Sequence, residues 1–204
     1  ITPCEDDSSM FEIFSRLNSG GVMLRPQEIR MSIYYSTFYE KLVSEFNING
    51  IWRKFLGKKE PDLHMSDVEV LVRAFAMLAM SFKYKSPLKN FLNGFSKKAM
   101  AFDVDEISDY ANTFDDFWKS CSDLPEDAFR NEKNKFVISV FEAVFVAVCE
   151  KIKQEGLNGR KIVKDSIDAL KTDKKFIEVS QGSTASTTSV TTRLQRAREL
   201  IVLR

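Results

Sequence analysis

Histidine occurs once in the 204 residues, at His64, and cysteine three times, at Cys4, Cys121 and Cys149. The cysteines are odd in number and far apart, with no C-x-x-C pair and no neighbouring histidine. That spacing argues against a zinc set and against a disulfide framework. Reduced thiols in a cytoplasmic protein are the expectation. No apolar run reaches the roughly 18 residues of a membrane-spanning helix; the nearest, Val137 to Val148, is interrupted by Glu142. No membrane partner is therefore expected. A signal peptide is not visible either, and the start at Ile1 agrees with truncation, proteolysis or an unseen upstream segment. With 30 basic and 29 acidic residues the net charge is only +1, so any nucleic-acid contact must come from a local patch.

What is abundant is phenylalanine, with 17 copies in a chain that is 44% hydrophobic and 29% charged. Such a composition predicts a soluble domain with a ring-rich core rather than disorder. Apolar residues recur at helical spacing almost throughout. Met31 to Phe46 reads as helix with a break near Tyr35-Ser36, and Tyr34, Tyr35, Phe38 and Tyr39 read as a core face. Ile51 to Leu56 is a short helix ended by Gly57. His64 falls in the following loop, and Ser66 to Glu69 has the pattern of a capping box opening a helix over Val68 to Phe82. Pro87 begins a helix to Phe102, and Asp103 caps the next, to about Cys121. Leu124 to Arg130 reads as a short helical piece, Phe136 to Lys153 as the central helix, and Arg160 to Leu170 as its amphipathic successor. The acids of the 103–121 helix and the lysines from Lys83 to Lys98 read as solvated faces. The fold class predicted is all-α, a multi-helix bundle, with a residual short strand allowed near Ile1.

The sequence changes character over Gln181 to Thr192, which is almost entirely small and hydroxylated. This reads either as a linker or as a polar loop facing phosphates. It leads into a basic helix start at Arg193, Arg196 and Arg198, with Val190, Leu194, Ala197 and Ile201 as a docking face. Two units are expected, a bundle over 1–180 and a polar loop with a packed basic helix over 181–204. Arg193 and Arg196 are candidates for nucleic-acid phosphate contacts.

The chain is organised around Met10 to Arg30, MFEIFSRLNSGGVMLRPQEIR. Phe11, Phe14 and Leu17 give a short amphipathic helix, Asn18-Ser19-Gly20-Gly21 stops it, and Pro26 opens a second helix. On spacing alone this is either a tight helical corner or a turn whose glycine amides and arginines face an anion. The string resembles the signature F-x-R-L-N-x-G-G-x-x-L-x-x-x-E-[IL]-R of the GmrS-like family of bacterial defence domains. That family includes one half of the GmrSD modification-dependent restriction enzymes and the sensors of phosphorothioate-linked defence nucleases. It is also similar, more loosely, to the Leu-x-Pro helix start of ParB-type proteins.

The resemblance implies a nucleotide or phosphate site at Arg16, Asn18, Ser19, Gly20, Gly21, Gln27, Glu28 and Arg30, with Glu28 orienting Arg16 or Arg30. It implies further partners: an upstream ParB-like domain, an HNH nuclease domain or subunit, and DNA. The chain departs from the family in lacking the upstream D-G-Q-Q-R motif, since no Asp-Gly pair occurs. The later helical portion of such a protein is therefore expected. No catalytic residue or cofactor is assigned within the chain itself, and a nucleoside triphosphate is expected only with the full-length protein. The competing expectation is a non-catalytic structural or protein-interaction bundle.

Overall fold

The computed structural model describes residues 13, 24–157 and 159–204. Within them ten α-helices succeed one another. These are α1 (Pro26–Ile33), α2 (Thr37–Lys41), α3 (Gly50–Leu56), α4 (Ser66–Met80) and α5 (Leu88–Ala99), then α6 (Val104–Ser120), α7 (Ile138–Glu155), α8 (Lys164–Thr172), α9 (Lys174–Gln181) and α10 (Thr187–Leu200). No strand occurs among the described residues. Isolated antiparallel bridges join Arg130 to Phe136 and Ile162 to Leu203. The fold is the all-α multi-helix bundle that the periodicity predicts. The strand allowed near Ile1 lies outside the described residues.

The bundle is built around α7. Val140, Phe141, Val144, Phe145 and Val148 are buried, and so are Ala143, Val146 and Ala147 between them. A helix apolar on every face must be covered on every face. Helices α4 and α10 supply most of that cover, with α6 and α8 against the remainder.

The phenylalanines fill the space between helices with ring contacts. Phe38 meets Tyr39, Phe75, Phe95, Phe102 and Tyr110 edge-on at centroid distances from 5.2 to 6.2 Å. A second knot joins Trp118 to Phe55 at 5.5 Å and to Phe141 at 6.1 Å, both stacked. Of the expected aromatic face, Tyr34, Phe38 and Tyr39 are buried while Tyr35 is exposed.

Local signals place several helix ends as read. The Asp103 carboxylate accepts from the Glu106 amide at 2.8 Å while Glu106 accepts from the Asp103 amide at 3.2 Å, a reciprocal cap for α6. Asn49 accepts from Ile51 and Trp52 to start α3. Gly57 ends that helix at φ +77°.

Three expectations fail. Ser66 is the first residue of α4 and not its cap; Met65 occupies the cap at φ 56° without a side-chain bond. The neighbouring Asp67, the best acceptor available there, is turned inward to Arg53. Leu124 to Arg130 is a run of turns, because its amides close three-residue loops such as Leu124 to Cys121 and Ala128 to Pro125. The polar stretch 181–192 is mostly helical: Ser186 accepts from Ser189 and α10 begins at Thr187, so the loop is confined to 182–186. Helix α9, capped by Asp173 accepting from Phe176, was not expected because one turn of buried contact at Phe176 gives little periodicity.

Candidate functional site

The second half of the signature forms α1. Pro26 occupies its first turn, and the Arg25 amide donates to the Glu28 carboxylate at 2.6 Å. Residues 27 and 30 are three apart and share one face, which turns into the protein. Gln27 and Arg30 are accordingly buried, Arg30 to 1% of its surface. The Arg30 Nε donates to Asn93 Oδ1 on α5 at 3.1 Å. Its Nη1 donates to Gln27 Oε1 and lies 3.4 Å from Glu69 Oε2 on α4. One guanidinium thus ties three helices together. Beneath it Tyr39 shares a 2.7 Å hydrogen bond with Ser96 Oγ. Burial pushes the Tyr39 phenol up, and the Ser96 hydroxyl and the Arg30 charge offset this only in part.

Glu28 stands on the other face of α1. It does not orient Arg30, as the resemblance suggested: residues two apart on a helix point in different directions, and Glu69 is the acid that meets Arg30. Glu28 instead holds the Arg25 amide and lies 3.5 Å from His64 Nδ1. His64 belongs to the loop before α4, as expected. Arg16, Asn18, Ser19, Gly20 and Gly21, with Phe14 and Leu17, lie outside the described residues.

Arg193 is directed inward, and Arg196, which is part-exposed, is engaged by acids of this chain. Arg193 is 2% exposed, donates to the Val179 carbonyl at 3.0 Å and faces Glu142 at 3.9 Å. Burial lowers the pKa of its guanidinium, offset in part by Glu142. Arg196 grips both oxygens of Asp173, at 3.0 and 2.7 Å, and reaches Glu199. Arg198 pairs in the same two-pronged way with Glu150, at 2.7 and 2.8 Å. The basic face of α10 is the means by which that helix docks on α7 and on the start of α9.

A further buried ion pair escaped the sequence reading. Arg53 Nη1 lies 2.6 Å from Asp67 Oδ2, and Arg53 also donates to the carbonyls of Lys58 and Glu60. The signal was present in part, since Asp67 opens a long apolar helix. Cys121 and Cys149 are free and buried, and burial raises both thiols well above their ordinary pKa. Among the described residues no group of three or more His, Cys, Asp or Glu is placed to hold a metal ion, and no helix is long and apolar enough to cross a membrane. No family model, curated protein or solved structure matches the chain.

Proposed function

We propose that the chain is the helical portion of a nucleotide-dependent, DNA-modification-sensing restriction or phage-defence protein, with the turn at Gly20-Gly21 as its phosphate-facing element. The observation that supports this reading is the cage around Arg30. A corner that only reverses the chain needs no buried guanidinium, which is costly to desolvate. A turn that must present its amides to an anion needs a rigid base, and Gln27, Asn93 and Glu69 hold Arg30 as one. In this reading Gln27, Glu28 and Arg30 are positioning residues, while Arg16, Asn18, Ser19, Gly20 and Gly21 touch the nucleotide. An upstream ParB-like domain completes the site, an HNH nuclease domain or subunit cuts the DNA, and the assembly works in the cytoplasm. The chain alone hydrolyses nothing.

A structural or protein-interaction bundle is the second reading, favoured by one observation: Arg193, Arg196 and Arg198 all find their partners inside the molecule. Intact mass against the 23.4 kDa of this chain, followed by nucleoside triphosphate binding to the full-length protein, separates the two. The first reading expects binding that Arg16→Ala weakens at least about tenfold, or ~1.4 kcal/mol, without a change in thermal midpoint. Wild-type affinity in that variant removes Arg16 from the site. A full-length protein that binds no nucleotide leaves the structural bundle.

A further inference from the structure

Helices α7, α8 and α9, together with the loop from Arg130 to Val137, enclose a groove of about 740 Å³. That volume is in the range of small-molecule sites. No signature residue lines it. Its floor is apolar: Val140 and Phe176 are buried there, with Val137 and Ile177 beside them.

Two polar groups on its walls are drawn back from solvent and lack partners. Lys171, on α8, is half-buried, and no described residue forms an ion pair or hydrogen bond with its ammonium. Asp168, the nearest acid on the same helix, is bound to Lys164 instead. Burial lowers the Lys171 pKa, and the carboxylates of Asp168 and Asp127 offset this only in part. Ser180, on α9, has a buried hydroxyl with no hydrogen-bond partner. A half-buried ammonium without an ion partner and a buried hydroxyl without a hydrogen bond both gain from an oxygen acceptor entering the groove.

We propose that this groove binds a small amphipathic carboxylate. The Lys171 ammonium is its ion partner, the Ser180 hydroxyl a further donor, and its hydrocarbon body lies against Val140 and Phe176. The charge balance favours a monoanion over a phosphate dianion. Arg130, the one guanidinium at the rim, is already bonded to the carbonyls of Lys54 and Phe55 and to Asn134. Glu132 and Asp168 offset two of the three lining cations, which are Arg130, Lys171 and the exposed Lys133, and leave a single net positive charge. A phosphate site would instead be expected to gather several free cations.

The test is titration of the whole chain with octanoate, and with octanol and octylamine as chain-matched controls. Calorimetry and the methyl resonances of Val140 and Ile177 report binding. Saturable binding of octanoate alone is expected, weakened about tenfold by Lys171→Met and preserved by Lys171→Arg. Methionine keeps the apolar stem of the side chain, so the fold should survive, and an unchanged thermal midpoint checks this. Ser180→Ala, with a smaller loss, is the second variant. Equal binding of octanol, wild-type affinity in Lys171→Met, or no saturable binding would overturn the proposal. Nucleotide binding by the full-length protein is a separate readout, because the two sites share no residue.

Discussion

Gly57 is the position at which a single hydrogen atom in place of a side chain decides the local structure. Its φ of +77° is the left-handed turn that closes α3, and an added Cβ would stand 2.7 Å from Arg130 Nη2. Arg130 passes directly over this glycine to donate to the Lys54 and Phe55 carbonyls at the end of α3, where the Lys54 carbonyl also accepts from the Gly57 amide. Gly57→Ala therefore meets two penalties. The left-handed conformation costs an L-residue about 1–2 kcal/mol, and the guanidinium must move off its acceptors. Urea denaturation should show that loss. In an Arg130→Ala background the same substitution should cost less, because only the backbone strain remains. An equal cost in both backgrounds would mean that Arg130 accommodates the methyl group freely.

At the scale of elements, two aspartates are held in the charged form, one at the start of α9 and one in the loop before α4. Asp173 caps α9 and binds Arg196, and that guanidinium, with the Phe176 amide, lowers its pKa below the ordinary 3.8. Asp62, in the loop that leads into α4, is lowered more strongly, by Lys58 first and then by Ser66 and the His64 amide. A depressed folded-state pKa gives stability that is present above the unfolded value and lost as pH falls through the folded one. Acid should therefore loosen the starts of α9 and α4 progressively from about pH 4 downward. Asp173→Asn, which removes the charge at every pH, should flatten the acid limb of a pH–stability profile. An unchanged limb would place the acid sensitivity elsewhere.

These same elements mark how far the sequence was legible. Asp103 announced α6 because its cap is local, while Glu106, read as part of a solvated face, supplies the other half of that cap. Ser66 and Glu69 carry the same spacing and mislead, since Arg53, 14 residues earlier, takes Asp67 inward and Glu69 goes to Arg30. The apolar faces of α7 and α10 were readable from period alone. The roles of Arg30 and Arg193 were not, because Arg30 finds its partners 39 and 63 residues away and a basic helix looks the same whether its charges face water or acids.

Across the whole molecule, Glu142 is the point where long-range charge and the apolar core meet. It is 1% exposed in the middle of α7, yet Arg73 Nε of α4 lies 3.0 Å from one oxygen and Arg193 Nη2 of α10 lies 3.9 Å from the other. Two cations on one buried carboxylate make the consequences of substitution unequal. Glu142→Gln leaves both guanidinium groups without a counter-charge, and breaking a buried pair from one side costs about 3–5 kcal/mol. Arg193→Met leaves the Arg73–Glu142 pair intact and fills the space with apolar atoms, so it should cost much less, mainly the bond to the Val179 carbonyl at about 1 kcal/mol. The order of these two effects, read from denaturant midpoints, tests whether the acid or the arginine is central. Because the three residues sit on α4, α7 and α10, the loss in Glu142→Gln should lower one common transition, with helix content and aromatic environment lost together. If α10 instead melts ahead of the rest in that variant, residues 181–204 form a separate unit that the arginines merely tether. Coincident transitions mean that the chain through Leu200 folds as one body around α7.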